Sequence, residues 1–231
     1  MLVSKPTVLP RMTVTDAAVI HLREEIVTGR LPSGELLPEA KVGALLGVSR
    51  APVREAFVLL EREGLIKFDR RGTAQVCTFT HEDLLEIVLM RGALEPVAAR
   101  LVCERWSDRV EREFQNNLRA LRRSKALSDM TRLDVEFHRL VLRHAGHRRL
   151  FAAWEALASQ FLLVLMRCHG AIEGQRGQTQ NRTYHAHAEL FDALKSGDGA
   201  RAEAMARQHV NGWLVEFEQL EVFPAMKEAA P

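Results

Sequence analysis

The sequence holds few of the residues that mark secreted or membrane-spanning proteins. Three cysteines occur in 231 residues, Cys77, Cys103 and Cys168, widely spaced and odd in number. That pattern excludes a disulfide framework and a cysteine zinc site, and it fits a reducing compartment. The N-terminal stretch MLVSKPTVLPRM lacks the apolar core and small-residue cleavage site of a signal peptide. Long apolar runs are missing too. Phe161–Met166, the longest in the C-terminal half, falls far below the roughly 20 residues a spanning helix needs. A cytoplasmic protein with no membrane role is therefore expected. Aromatic residues make up only 6% of the chain, so Ala, Leu, Glu and Arg dominate and the balance leans to helix. Charge of either sign is not in excess: the formal net charge of +2 points to no partner by itself.

What is present suffices for a real core. The chain is 47% hydrophobic and 27% charged, which excludes disorder and allows one large or two modest domains. Charge and histidine divide unevenly. Residues 1–78 hold 11 Lys and Arg against 9 Asp and Glu, whereas 79–231 hold 21 of each. One histidine, His21, lies in the first part and eight lie in the second.

The order of elements supports that division. Residues 1–12, with two prolines and no periodicity, read as a flexible arm. Thr15 or Asp16 caps a helix through AAVIHLREEIVTG, with Val19, Leu22 and Ile26 at helical spacing and Gly29 as its stop. RLPSGELLP is a turn, and a short helix over Glu39–Leu46 ends at Gly47. A third helix follows, and then LIKFDRRGTAQVC reads as two short strands around Asp69–Gly72. Helix, helix, helix, hairpin within about 60 residues is a winged helix-turn-helix over 13–78. From Thr80 onward only helices are expected, over His81–Arg105, Asp108–Lys125, Met130–Ala145, Arg148–His169, Thr179–Lys195 and Ala200–Leu220. Pro96 would kink the first, and Ser107, Ser128 and Asp198 are candidate caps. The expected fold is mainly α, with an all-α bundle of about six helices over 79–225.

The stretch LGVSRAPVREAF, Leu46–Phe57, carries the first site. With Ser49 as N-cap, Pro52 falls in the first turn, where its missing N–H costs little. Val53, Ala56, Phe57 and Leu60 share one arc and face the core. Arg50 and Arg54 lie on another arc that faces solvent. Arginines spaced i, i+4 are ordinarily surface residues paired with neighbours, here Glu55 or Glu61. Their place after a turn and before a basic hairpin instead fits a recognition helix, whose first turns carry arginine to guanine edges and phosphates.

Residues 22–76, and above all GVSRAPVREAF and EREGLI…RRGTAQV, resemble the winged-helix domain of GntR-type bacterial transcription regulators. The resemblance implies contacts to double-stranded DNA from Lys41, Ser49, Arg50, Ala51 and Arg54. It also places Gly72 at the wing tip and Arg70 and Arg71 against phosphate or groove. One departure stands out. Val42–Gly43 replaces the usual Leu-Ala before the turn and is expected to loosen packing there.

The second part gathers histidines on apolar faces. Asp134 and His138 are i, i+4, with Phe137 and Val141 on the same stripe. His187 has Leu190, Phe191 and Leu194 at i+3, i+4 and i+7. His209 has Ala202, Met205, Ala206 and Trp213 at matching offsets. A lone histidine on an apolar face is usually a hydrogen-bonded core residue. Three with a carboxylate, from three helices, have the types for a divalent zinc, nickel or manganese ion. His185 points about 200° away from His187.

LMRGALEPVAARL, DVEFHRLVLRHAGH and HAELFDALKSGDGARAEAMARQHV resemble the FCD ligand-binding domain of the FadR-like branch of the same regulators. That resemblance places Asp134, His138, His187 and His209 on metal-ligand positions and implies a small carboxylate effector held with the metal. Arg91 falls on a recurrent arginine that would reach the effector, or it pairs with Glu95 at i+4. Asn181 and Tyr184 are further candidates for the effector pocket.

Three functions remain open on this reading. The first is a ligand-responsive regulator, a repressor, whose homodimer sets two heads on a near-palindromic operator. The second is a metal-dependent hydrolase-like enzyme with an accessory DNA-binding domain; the absence of HExxH, of a glutamate three residues before any histidine and of an evident general base weighs against it. The third is a buried polar network with no metal.

Overall fold

The computed structural model describes residues 12–176 and 178–218; of the arm expected over residues 1–12 all but Met12, and the chain beyond 218, lie outside these. The described residues form two compact units that part between Cys77 and Thr78.

The first unit runs α1 (Val14–Val27), β1 (Leu36–Leu37), α2 (Glu39–Leu46), α3 (Arg50–Arg62), β2 (Ile66–Phe68) and β3 (Ala74–Val76). The first helix begins two or three residues earlier than its pattern suggests. Thr13 is the N-cap, its hydroxyl accepting from Asp16 N while its own N–H donates to the Asp16 carboxylate, which satisfies two of the first-turn donors reciprocally. The core between α1 and α3 is built from the expected arcs: Val19, Leu22 and Ile26 against Val53, Ala56, Phe57 and Leu60, all buried. The hairpin of β2 and β3 gains an outer strand that sequence periodicity does not reveal. β1 is two residues long and pairs antiparallel with β3, giving the sheet order β1-β3-β2.

Two local expectations turn out differently. Ser49 takes the N-cap position of α3, but its side chain makes no capping hydrogen bond. Gly43 does not loosen the turn. It is buried, Val48 N donates to its carbonyl at 2.9 Å, and a Cβ there would stand 2.9 Å from Val48 O. The missing methyl lets α2 and the turn approach more closely than an alanine permits without backbone movement.

The second unit is all helical: α4 (His81–Cys103), α5 (Asp108–Arg123), α6 (Leu127–His144), α7 (Arg148–Glu155), α8 (Ala158–Arg176), α9 (Thr179–Lys195) and α10 (Gly199–Glu218). Seven helices replace about six, because the stretch Arg148–His169 divides after Glu155 and its axis turns by 50°. Thr80 with Asp83 forms a second capping box at α4, and Pro96 sits inside that continuous helix. Ser107 caps α5, and Asp198 Oδ1 accepts from Arg201 N at the start of α10. Ser128 is not a cap, since α6 begins at Leu127. The centre of the bundle is α6, which packs on α4, α5, α7, α8 and α9. Phe137 on α6 and Phe114 on α5 meet at 5.0 Å between ring centroids. No single helix among the described residues is long and apolar enough to cross a membrane.

Candidate functional site

The first unit presents one polar surface around the N-terminus of α3. Lys41, Ser49, Arg50, Ala51 and Arg54 are all exposed, as are Arg70, Arg71 and Gly72 in the β2–β3 turn. That turn is built by Asp69, whose Oδ1 accepts from Arg71 N at 2.9 Å and Thr73 N at 2.8 Å. Gly72 supplies the positive φ of 75° that the turn needs. The side chain of Arg54 is not idle. Its Nε and Nη2 lie 2.7 and 2.8 Å from the two carboxylate oxygens of Glu39 at the start of α2. These hydrogen bonds hold the Glu39 carboxyl below its ordinary pKa and raise that of Arg54. Glu39, not Glu55 or Glu61, is the partner, and its 15-residue separation hides it from helical spacing rules.

In the second unit the periodicity argument brings its residues together. Asp134 and His138 on α6, His187 on α9 and His209 on α10 line one cavity of about 440 Å³. Donor atoms of His138, His187 and His209 all lie within 4.8 Å of one another. Asp134 Oδ1 is 3.5 Å from His138 Nε2 and 3.3 Å from His187 Nε2. The set is wider than a filled tetrahedral site, where nitrogens about 2.1 Å from a zinc ion stand roughly 3.4 Å apart.

The tautomers favour a cation. His187 Nδ1 bonds the Thr183 carbonyl at 2.7 Å, which leaves Nε2 as the lone-pair atom; it is buried without a hydrogen-bond partner. His138 Nδ1 lies 2.9 Å from Glu95 Oε2, so Nε2 again faces the cavity. Burial holds His209 well below the ordinary histidine pKa, reinforced by neighbouring His187 and His138, so its imidazole is neutral. Burial alone would raise the Asp134 carboxyl, but His187, His138 and His169 outweigh it and keep it ionised. Burial tends to lower the His138 pKa, but the carboxylates of Glu95 and Asp134 raise it overall. A buried carboxylate, the neutral His209 imidazole and an orphaned nitrogen form a donor set that fits a divalent ion.

Two neighbours escape simple sequence reading. His169 on α8 is buried, with Nε2 3.6 Å from Asp134 Oδ2 and Nδ1 3.0 Å from Thr131 Oγ1. Burial drives its pKa down to about 4 despite the Asp134 charge. Leu162, Leu165 and Met166 lie at i−7, i−4 and i−3, but in a helix apolar on nearly every face that stripe does not single His169 out. Glu95 on α4 is the second. It accepts from Arg91 Nε at 2.7 Å, Arg91 Nη2 at 3.2 Å, Trp154 Nε1 at 2.9 Å and His138 Nδ1.

Arg91 thus makes the i+4 pair and also lines the cavity. Its guanidinium carbon stands 3.7 Å from the centre of the Phe161 ring, and Nη2 is 3.2 Å from His138 Nε2. Asn181 is exposed, and neither it nor Tyr184 lines the cavity. Arg182, beside Asn181 on α9, does line it. His185 also lines it, despite pointing away from His187.

Comparison with known proteins places both units. Residues 14–76 match the family of bacterial regulatory proteins described as gntR, and residues 86–212 match the FCD domain. The chain is 31% identical over 209 residues to a probable D-xylose utilization operon transcriptional repressor of Paenarthrobacter nicotinovorans, covering 89% of each chain. It is 29% identical over 211 residues to the gluconate operon transcriptional repressor of Bacillus subtilis, covering 87% of this chain and 85% of that one. Among solved structures, E. coli McbR/YncC superposes with a TM-score of 0.74 at 20% identity, covering 90% of this chain and 99% of that one.

Proposed function

The chain belongs to the GntR family of bacterial regulatory proteins and carries an FCD domain, and from that premise we propose how its two units work. It is a transcriptional regulator and not an enzyme, which removes the hydrolase reading. The GntR domain implies DNA binding and the FCD domain a small-molecule effector. Beyond this, the chain is a cytoplasmic repressor. Two copies form a homodimer that sets a pair of reading heads on a near-palindromic operator.

In this reading Arg50 and Arg54 reach base edges, and Lys41, Ser49 and Ala51 track the backbone beside them. Arg70, Arg71 and Gly72 of the wing lie along the flanking groove. Asp134, His138, His187 and His209 hold a divalent ion, of which zinc, nickel and manganese suit the donors. That ion supplies an electrophilic anchor for a small carboxylate effector. Arg91 adds positive charge at the cavity wall, while Glu95 fixes its orientation. Asn181 has no part in the effector site. The observation that carries the proposal is the convergence of imidazole nitrogens from three helices on one cavity, two of them on buried residues and His209 half-buried, with His187 Nε2 left unbonded.

The test is a thermal-shift screen of organic acids against the full chain, with and without added metal, followed by operator binding in fluorescence anisotropy. An acid should shift the melting transition only when metal is present, and should then weaken operator binding at least about tenfold, the scale of a modest coupling free energy. Equal shifts in chelator, or operator affinity indifferent to the acid, would overturn it.

A further inference from the structure

Asp134 is 3% exposed and ionised, and it stands among imidazoles. A carboxylate taken out of water needs partners on both oxygens, or the loss of its hydration goes uncompensated. Oδ1 faces His138 Nε2 at 3.5 Å and His187 Nε2 at 3.3 Å, the two nitrogens assigned above to a divalent ion. With those lone pairs on the ion, neither ring has a proton for Asp134. His187 commits Nδ1 to the Thr183 carbonyl, and His138 turns Nδ1 to Glu95. Oδ2 faces a different ring, His169 Nε2 from α8, at 3.6 Å.

His169 is 2% exposed, and burial keeps its imidazole neutral by lowering the pKa to about 4. A neutral imidazole has one N–H, so its tautomer decides what Asp134 meets. Nδ1 lies 3.0 Å from Thr131 Oγ1, which also lies 2.8 Å from the Leu127 carbonyl one turn back on α6. Thr131 has a single proton to give. Given to Leu127, it leaves Nδ1–H to bond Oγ1 and turns the Nε2 lone pair onto a carboxylate. Given to Nδ1, it points Nε2–H at Oδ2. The Leu127 carbonyl is the first acceptor of α6's own ladder and does not depend on the hydroxyl. A charged acceptor also holds an N–H about twice as strongly as a neutral one. The second arrangement is therefore the stable one.

We propose that His169 is a positioning residue for the ion site: Thr131 fixes its tautomer, its Nε2–H holds Asp134 Oδ2, and Oδ1 is thereby presented to the ion as a single-oxygen ligand. The proposal rests on the reading that Asp134, His138, His187 and His209 hold a divalent ion. His169 is not itself a ligand. The gap to Oδ2 is about 0.7 Å longer than a charge-assisted hydrogen bond, which a small rotation of the carboxylate closes. With Oδ2 held, the carboxylate is ordered before the ion arrives, and less freedom is lost on binding. Glu95 does for His138 what His169 does for Asp134, so both ligands on α6 are oriented from behind.

The experiment measures zinc affinity by competition with a chromogenic chelator, on the full chain, for wild type, His169→Gln and His169→Leu. Glutamine keeps an N–H donor near the place of Nε2, and leucine fills the space without one. His169→Leu should bind zinc about 10–100-fold more weakly, while His169→Gln stays within about threefold of wild type. Melting in excess chelator should not follow that order, since a merely structural histidine would move both readouts together. Wild-type zinc affinity in His169→Leu overturns the assignment, as does an equal loss in His169→Gln. Loss of one imidazole from the zinc shell of His169→Gln, read by X-ray absorption, makes His169 a ligand and overturns it too. If His169→Leu does not fold, Thr131→Val takes its place. That variant frees the tautomer and should weaken zinc binding several-fold, and unchanged affinity overturns the assignment. These outcomes leave the ion site standing; a wild-type chain that binds no divalent ion overturns the ion reading and this inference with it.

Discussion

Arg54 and Glu39 are joined by two parallel hydrogen bonds, 2.7 and 2.8 Å long, between the third and second helices of the winged unit. The pair does two things at once. It fixes the plane of the Arg54 guanidinium and, if α3 is the recognition helix as proposed, it sets a carboxylate beside that arginine on the DNA-facing side. The first lowers the entropy cost of a base contact, and the second penalises any docking that fails to satisfy the arginine elsewhere.

Glu39→Gln is therefore expected to tighten binding to scrambled DNA several-fold while lowering the ratio of specific to non-specific affinity. Fluorescence anisotropy against operator and scrambled duplexes at two salt concentrations measures both quantities. The pair is exposed at Arg54, so the melting temperature should barely move. An unchanged specificity ratio would reduce the pair to an ordinary surface ion pair.

Arg50→Ala and Arg54→Ala should each cost roughly 1–3 kcal/mol of discrimination at one base pair, the worth of a bidentate arginine contact. Lys41→Ala and Arg71→Ala should instead weaken all DNA alike and flatten the salt dependence by about one unit of slope. Competition assays with single-base operator variants separate the two behaviours. Retention of full specificity by both arginine variants would remove α3 from the recognition role.

How far these sites were legible in the sequence depends on the kind of signal each residue leaves. Asp134, His138, His187 and His209 stand out because each is polar on an apolar stripe of an otherwise two-faced helix. His169 does not, because FLLVLMRCH is apolar on nearly every face and α8 has no polar side against which an inward histidine contrasts. The break between α7 and α8 falls in EALAS, which contains neither glycine nor proline, so the turn is set by packing and not by local preference. β1 is two residues whose partner lies about 40 positions away. Spacing rules see neighbours within two turns, and these three features are set by tertiary contacts.

Metal binding should be visible without any assay of function. Protein purified without chelator is expected to carry about one divalent ion per chain by elemental analysis, and His187→Ala should lose it. Because ion binding stabilises only the folded chain, metal at about a thousand times its dissociation constant adds roughly 4 kcal/mol. For a unit of this size that raises the melting temperature by on the order of 10 °C, and chelator reverses it. A wild-type melting curve indifferent to both metal and chelator would leave the cluster as a buried polar network.

Glu95→Gln probes the support of that site and not the site itself. Glu95 accepts from Arg91, Trp154 and His138 within a fully buried cluster, so its charge balances a guanidinium that has no exposure to water. Neutralising it leaves Arg91 as an uncompensated buried cation, a loss on the order of 3–5 kcal/mol that should appear equally in metal and in chelator. It also removes the charged acceptor that orients His138 and strengthens Nε2 as a donor, which should weaken metal affinity by about 10–100-fold. The double variant Arg91→Met with Glu95→Gln separates these effects. Deleting both charges should recover much of the lost stability, because the pair's desolvation penalty goes with it. Metal affinity should stay low, since no carboxylate then faces His138 Nδ1. If the double variant regains wild-type metal affinity along with its stability, Glu95 serves only Arg91, and the orientation of His138 has another source.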